Sequence, residues 1–194
     1  MKIFLSYATK DHHYKDEIKK TLSKLERDGK IKLWIDEQNL RGGEIFDETI
    51  EKEIHSSYIF LLLLSRDFWA SDYIQEQELP IILERHREEN ITVIPIVLKD
   101  TYDLTGYDEV KNIGAMPREI TGDKRLKPIS EFQPEYRAYN VILEEIKKIL
   151  SSLDINTIPM IQLSLYSLKT LNPYSDLEKI KLKKISHEEH KFHI

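Results

Sequence analysis

Short apolar runs of strand length alternate with one-sided helical patterns along most of the chain. Runs that are apolar on both faces are typical of parallel strands buried between two layers of helices. The alternation occurs five times and predicts an α/β fold with a five-stranded parallel sheet and helices on both faces. The predicted strands are Lys2–Tyr7, Ile31–Ile35, Tyr58–Leu64, Ile91–Leu98 and, as a weaker edge strand, Arg125–Ile129.

Apolar residues at intervals of three and four positions mark the predicted helices between these strands. Such a stripe runs through Asp11–Arg27, through the segment around Ile50 and through residues 138–153. A further helix follows the third strand and is expected to reach about Glu88. Pro80 lies inside that segment and cannot donate a helical hydrogen bond, so we expect a kink or a new helical start there.

The pattern changes after the last of these helices. Residues 158–171 mix apolar and small polar residues in partial alternation, which favours a strand or a hairpin. A segment of about forty residues is too small to bury a core of its own. The sequence therefore predicts one domain over residues 1–153 and a C-terminal extension, residues 154–194, whose role the pattern does not indicate.

Composition narrows the functional classes. A net charge of −5 gives no general attraction to nucleic acid or to anionic membranes. The absence of cysteine excludes disulfides, a thiolate nucleophile and thiolate metal ligands. The N-terminal apolar run is too short for a signal peptide, and the run Ile59–Leu64 is too short to span a bilayer. We therefore expect a cytoplasmic protein with neither nucleic-acid nor membrane partners.

Several common catalytic motifs are missing from the chain. It has no P-loop and no dinucleotide-binding glycine fingerprint, and it lacks the serine motif of the α/β hydrolases. His187, His190 and His193 are spaced by three, but at a charged terminus this spacing is more typical of a solvated tail than of a metal site. No bound metal is therefore expected.

Candidate site residues follow the first two predicted strands at their carboxyl ends, where parallel α/β sheets bind ligands. Ser6 and Tyr7 end the first strand. Trp34 and Asp36 stand at the end of the second, and packing in the core is an equally good interpretation of Trp34. Polar residues at the end of the first strand fit either a nucleotide pocket or the capping of the next helix.

The segment after the third strand carries the candidate catalytic carboxylates, Glu76 and Glu78. A carboxylate in the first turns of a helix at this edge is placed for chemistry, although solvation of an exposed helix face is the alternative interpretation. Thr9 and Asp11 follow the first strand, where capping of the next helix is the favoured role. The residues alone leave these alternatives open.

Taken together, five segments of the chain resemble the bacterial branch of the Toll/interleukin-1 receptor (TIR) domain family. They occur in the family's order within residues 1–152, and the fourth ends in the element Glu78-Leu-Pro80. The resemblance implies a flavodoxin-like fold, in agreement with the predicted sheet. The matching segments are Lys2–Asp11, Gly29–Asp36, Leu40–Glu44, Ser65–Pro80 and Val93–Leu98.

The resemblance also implies two candidate functions. Many bacterial TIR domains look like enzymes that cleave the nicotinamide–ribose bond of NAD+ and release ADP-ribose or a cyclic ADP-ribose-type signal, as in antiphage immunity. NAD+ would then be the substrate, and no cofactor would be needed. Other TIR domains are non-enzymatic adaptors that act through TIR–TIR association. A receiver-like or flavin-binding module is a weaker third interpretation, because the first strand lacks an acidic metal cluster.

The family's catalytic glutamate lies in the helix after the third strand, a few residues beyond an aromatic residue. Here Ser71 and Tyr73 provide that context, which makes Glu78 the first choice and Glu76 the alternative. Plant and animal members place the glutamate four residues beyond the aromatic, where this chain has Gln77. The resemblance thus implies one catalytic carboxylate near Tyr73.

The remaining site residues are also assigned by the resemblance. Tyr7 and Trp34 would border the substrate's rings, and Ser71 would orient the glutamate. The loop Asp36–Glu44, which includes Arg41 and Gly43, matches a loop that closes over the site of a neighbouring subunit in assembled TIR enzymes. Partners would accordingly be further copies of the chain, and an effector that senses the product.

Overall fold

The computed structural model describes residues 1–35, 48–89, 91–99, 110, 112–119 and 122–170, of which 154–170 are described as helical backbone alone. The strands are β1 (Lys2–Ser6), β2 (Lys32–Ile35), β3 (Ile59–Leu64) and β4 (Thr92–Val97). The α-helices are α1 (His12–Arg27), α2 (Glu48–Ser56), α3 (Arg66–Trp69), α4 (Leu79–Glu88) and α5 (Tyr136–Thr170). Short 3₁₀ turns cover Thr9–Asp11 and Ile129–Glu131, and a π-helical turn covers Ile74–Glu78.

The chain divides into two compact units, Met1–Lys147 and Lys148–Ile194. The first contains all four strands of the described sheet and the candidate site. The division falls slightly before the predicted boundary after residue 153. In the part of the chain that the structure describes, no helix is both long and apolar enough to cross a membrane.

The four described strands form one parallel sheet in the order β2-β1-β3-β4. Ile3 of β1 pairs with Leu33 of β2 on one side and with Ile59 of β3 on the other. The chain therefore leaves β1 toward one edge and returns beside it for β3. The crevice at the carboxyl ends of two such strands is the usual ligand-binding position of a doubly wound sheet.

Alternate strand residues pack into separate layers, as the two-residue period of a strand requires. Phe4, Phe60, Leu62, Leu64 and Val93 belong to one buried cluster with the apolar residues of α2 and α4. The intervening residues of the same strands are equally buried but lie outside that cluster, so they face the opposite layer. This explains why the strands are apolar at nearly every position.

Helix α1 ends where the sequence predicts, at a Schellman motif around Gly29. The Gly29 N–H donates to the Glu26 carbonyl and the Lys30 N–H to the Leu25 carbonyl, each at 3.0 Å. Gly29 has a φ of +68°, a conformation that glycine adopts without a steric penalty. The last carbonyl groups of α1 are thereby satisfied before β2 begins.

The prediction of an edge strand over Arg125–Ile129 is wrong. Within the described residues, this segment contributes only an isolated antiparallel bridge between Leu126 and Arg118. Pro128 has no N–H for a strand ladder, and a 3₁₀ turn starts at Ile129. The place beside β4 is instead taken by Met116, which bridges Ile96 and accepts a 2.8 Å hydrogen bond from the Val97 N–H.

The helix predicted after β3 is divided into α3, the π-helical turn and α4. Ser65 caps α3, because its side-chain oxygen accepts a 3.0 Å hydrogen bond from the Phe68 N–H. Pro80 is the second residue of α4 and directly follows the π-helical turn, in backbone that is helical on both sides of it. A change of helical type thus occurs beside Pro80, where a kink or a new helical start was predicted.

The prediction of a strand or hairpin over residues 158–171 is wrong, because α5 continues as a helix to Thr170. Its apolar residues are dense enough to fit either a helical or a strand period. Extending an existing helix adds a hydrogen bond per residue without a new nucleation cost. The start of α5 at Tyr136 provides that nucleus.

Arg85 of α4 ties this helix to the end of α2. Its side chain is only 6% exposed and lies over the Phe60 ring at 5.7 Å. One guanidinium nitrogen, Nη1, donates to the carbonyls of Ile54 and Ser57, and the other side of the guanidinium pairs with Glu89. The planar guanidinium thus adds a second donor to the Ile54 carbonyl, which also accepts from the Ser57 N–H at 3.1 Å, and provides a donor to the Ser57 carbonyl just beyond α2.

Candidate functional site

A buried carboxylate and a serine hydroxyl meet at the carboxyl end of β1. The Ser6 Oγ donates a 2.5 Å hydrogen bond to Glu78 Oε2, and the two residues are 2% and 3% exposed. Ser6 shares the strand face of Phe4, which packs against α2 and α4. The alternation within β1 therefore directs Ser6 toward the segment that carries Glu78.

The π-helical turn explains how Glu78 reaches this position. The Leu79 N–H donates to the carbonyl of Ile74, five residues back, whereas an α-helix would join residues four apart. The π-helical turn therefore contains one residue more between its hydrogen-bonded groups than a turn of α-helix does. Glu78, five residues beyond Tyr73, takes the orientation that a residue four beyond would have in a regular helix.

The two candidate carboxylates lie in different environments. Glu76 is exposed, as expected for a solvated helix face, whereas Glu78 is buried. Burial of a carboxylate is costly unless hydrogen bonds compensate, and the Ser6 hydroxyl provides one such bond. The geometry therefore distinguishes two residues that the sequence left as alternatives.

A second buried pair lies beside the first. The Ser65 Oγ donates a 2.5 Å hydrogen bond to Asp11 Oδ2, and both residues are 4% exposed. Asp11 occupies the N-cap position of α1 but makes no capping hydrogen bond with its side chain, so the predicted capping role is wrong. Burial raises the pKa of the Asp11 carboxyl above its ordinary value, although the Ser65 hydrogen bond opposes that shift.

Neither Asp11 nor Ser65 was predicted as a site residue. Their partnership joins two loops that are 54 positions apart in sequence. Both follow strands that are neighbours in the sheet, and their position after a strand is the only sequence signal available.

The three aromatic candidates, Tyr7, Trp34 and Tyr73, lie in different surroundings. The Tyr7 ring lies beneath the Lys15 ammonium group at 5.7 Å, beside α1. Trp34 is partly buried and stacks on Phe4 with ring centroids 4.8 Å apart and planes at 21°. Tyr73 is also partly buried and packs against the same apolar cluster as Trp34. This packing fits the interpretation of Trp34 as a core residue, and its role at the border of a pocket stays a prediction.

Ser71 lies at the start of the π-helical turn. Its Oγ accepts a long hydrogen bond of 3.4 Å from the Ile74 N–H. The described hydrogen bond on the Glu78 carboxylate comes from Ser6 instead. The predicted role of Ser71 in orienting the glutamate stays a prediction. The candidates Asp36, Arg41 and Gly43 lie outside the described residues.

The arrangement suits the stabilisation of positive charge. Glu78 would present a carboxylate at the crevice between β1 and β3, where the Ser6 hydroxyl donates a hydrogen bond to it. Such a group stabilises a cationic transition state more strongly in a dry crevice than in water. Within the described ranges, no group of three His, Asp or Glu side chains is arranged to hold a metal ion.

The strength of the hydrogen bond between Ser6 and Glu78 can be measured directly. In a double-mutant cycle of Ser6→Ala and Glu78→Ala, we expect a coupling of about 1.5–3 kcal/mol, the range for hydrogen bonds to charged groups. The free energy of unfolding of the four proteins would be obtained from urea denaturation at pH 7. A coupling below about 0.3 kcal/mol would contradict the pairing, because distant sites are additive within that range.

Comparison with known proteins places this site in a wider context. A family model described as TIR domain matches residues 3–117, which include Ser6, Trp34 and Glu78. The protein y4lF of Sinorhizobium fredii (strain NBRC 101917 / NGR234), itself uncharacterized, is 39% identical over 97 residues. The match covers 50% of this chain but only 30% of that relative's length.

Two solved structures are also similar to the chain. The TIR domains of the activated Roq1 resistosome, which directly recognizes the pathogen effector XopQ, are 26% identical with a TM-score of 0.41, over 49% of this chain and 55% of that chain. The TIR domain of the Toll-related receptor TRR-2 from Hydra magnipapillata is 19% identical with a TM-score of 0.41, over 75% of this chain and 97% of that chain.

Proposed function

Because this chain belongs to the TIR domain family, we propose that it cleaves the nicotinamide–ribose bond of NAD+. The observation that carries the proposal is the buried Glu78 carboxylate, hydrogen-bonded to Ser6 at the carboxyl edge of the sheet. A module that only binds other proteins has no need of a buried carboxylate in a ligand crevice. The solvated-face interpretation fits the exposed Glu76 and does not fit Glu78.

The reaction needs one carboxylate and no general acid. The C–N bond breaks with its electron pair moving to the nicotinamide nitrogen, so the pyridinium leaves as neutral nicotinamide. Positive charge develops on the ribose, as in glycoside hydrolysis, and Glu78 would stabilise it. Water then adds to the ribose carbon and releases a proton, which gives ADP-ribose. Attack by a group within the same molecule would give a cyclic product instead.

The proposal also includes substrate contacts, self-association and a separate effector. We assign Tyr7, Trp34 and Tyr73 to the borders of the substrate's rings, and Asp36, Arg41 and Gly43 to a closing loop. Self-association would complete the site if that loop belongs to a neighbouring copy. The product would act as a signal in a cytoplasmic antiphage response, read by a separate effector.

The test is nicotinamide release from NAD+ by the concentrated protein, with products identified by mass. We expect nicotinamide together with ADP-ribose or a cyclic isomer, and a specific activity that rises with protein concentration. The adaptor function predicts association without turnover. Absence of nicotinamide at every concentration, from a protein shown to be folded, would favour the adaptor and contradict the proposal.

A further inference from the structure

Three side-chain links join the end of β1 to the segment that follows β3. Ser6 bonds Glu78 at 2.5 Å, and Asp11 accepts from Ser65 at the same distance. In the third link, which is exposed to solvent, the Lys10 ammonium group donates to Asp67 at 2.7 Å. The first two links are buried, whereas the Lys10 side chain is 79% exposed. Each of the two buried carboxylates, Glu78 and Asp11, thus accepts a hydrogen bond from a serine of the other segment.

The Asp11–Ser65 pair controls where the second segment begins. The Ser65 hydroxyl donates to Asp11, and its oxygen accepts from the Phe68 N–H at 3.0 Å. An ionised Asp11 carboxylate can only accept hydrogen bonds, so the Ser65 hydroxyl must donate its proton to Asp11. A lone pair of the Ser65 oxygen then remains to accept from the Phe68 N–H, which caps α3. The start of α3 is therefore set by a residue of the loop after β1.

We propose that Asp11, acting through Ser65, is a positioning residue that sets the place of Glu78 for the cleavage reaction. Ser65 begins the segment that leads through α3 and the π-helical turn to Glu78. The same loop that carries Asp11 follows Ser6, the hydrogen-bond partner of Glu78. A shift at Ser65 would move Glu78 relative to Ser6 and to a substrate in the crevice. This inference rests on the proposed function.

The charged groups around Asp11 affect its pKa, so the hydrogen bond between Ser65 and Asp11 depends on pH. The Asp67 carboxylate acts in the same direction as burial and raises the pKa of Asp11, whereas Lys99, Lys10 and the Ser65 hydroxyl lower it, and the net direction is upward. Tyr14 also lies near, and its phenol stays protonated because burial raises its pKa. A protonated Asp11 donates a hydrogen bond of its own, which competes with the Phe68 N–H for the Ser65 oxygen.

Four variants of the full chain test the proposal with NAD+ as substrate. Asp11→Asn and Ser65→Ala break the buried link, Ser65→Thr keeps the hydroxyl, and Lys10→Gln breaks only the exposed link. We expect kcat to fall by about 10- to 100-fold in the first two, because a displacement near 1 Å at a reacting group has that effect. KM should change by less than about threefold, since substrate contacts remain. Ser65→Thr should recover most of kcat, and Lys10→Gln should change it by less than about twofold.

The pH profile separates positioning from a purely structural role. Because ionised Asp11 is the form that orients Ser65, log kcat of the wild type should fall more steeply on the acid side than that of Asp11→Asn, which lacks this titrating group. Thermal unfolding establishes that each variant is folded at the assay temperature. Unchanged kcat in folded Asp11→Asn and Ser65→Ala would overturn this inference alone. A folded wild type without turnover would overturn it together with the proposed function.

Discussion

Moving the site carboxylate by one position, in the double variant Gln77→Glu/Glu78→Gln, is expected to abolish nicotinamide release. Net charge and composition of the turn stay the same, but the carboxylate leaves the position that faces Ser6. Loss of one preorganised electrostatic group typically lowers kcat by about 10²- to 10³-fold. Glu76→Gln, at an exposed position of the same turn, is the matched control and should keep activity within about twofold of the wild type.

Deletion of Gln77 tests the same geometry in the opposite direction. The deletion leaves a glutamate four residues beyond Tyr73, where a regular α-helix would give it the orientation that the π-helical turn now gives Glu78. We expect the deletion variant to keep kcat within about tenfold, far above the double variant. A folded deletion variant as inactive as the double variant would contradict this role of the π-helical turn.

Replacement of Arg85 by methionine is expected to lower the free energy of unfolding by about 1–3 kcal/mol. The buried Ser57 carbonyl would lose its Arg85 donor, whereas the Ile54 carbonyl keeps the 3.1 Å hydrogen bond from the Ser57 N–H. The ion pair with Glu89 adds little, because the Glu89 side chain is 47% exposed. The loss is large beside the total stability of about 5–15 kcal/mol that is usual for a domain.

Urea denaturation at neutral pH measures this effect. Arg87→Met is the matched control, because Arg87 is an exposed arginine of the same helix and its replacement should change stability by less than about 0.5 kcal/mol. Arg85→Lys should recover only part of the loss, since a single ammonium group cannot repeat the fork of a guanidinium. Equal stability of Arg85→Met and Arg87→Met, with unchanged m-values, would contradict the tie between α4 and α2.

The parts of the fold that follow from local pattern were predictable from the sequence. The apolar runs of β1, β3 and β4 leave little choice of secondary structure, because residues buried on both faces must be apolar throughout. Pro80 marked an interruption of the regular helix after β3, because proline cannot donate a helical hydrogen bond, and the π-helical turn changes to α4 beside it. The bounds of these elements differ from the predicted ones by one or two residues.

The parts that depend on distant partners or on helix continuity were not predictable. Asp11 looks like a helix cap by sequence, and only the approach of Ser65, 54 positions away, gives its carboxylate another partner. The π-helical turn has no residue pattern of its own, so the register of Glu78 could not be read from Tyr73 alone. Residues 158–170 fit two periods, and the helix already formed before them decides between the two.

Nicotinamide release by the wild type and by Glu78→Gln, measured side by side at the same high protein concentration, tests the central claim most directly. We predict steady release of nicotinamide from NAD+ by the wild type and a rate about 10²- to 10³-fold lower for Glu78→Gln, with both proteins folded by circular dichroism. Equal release by the two proteins would contradict the assignment of Glu78, and no release by either would contradict the enzymatic function.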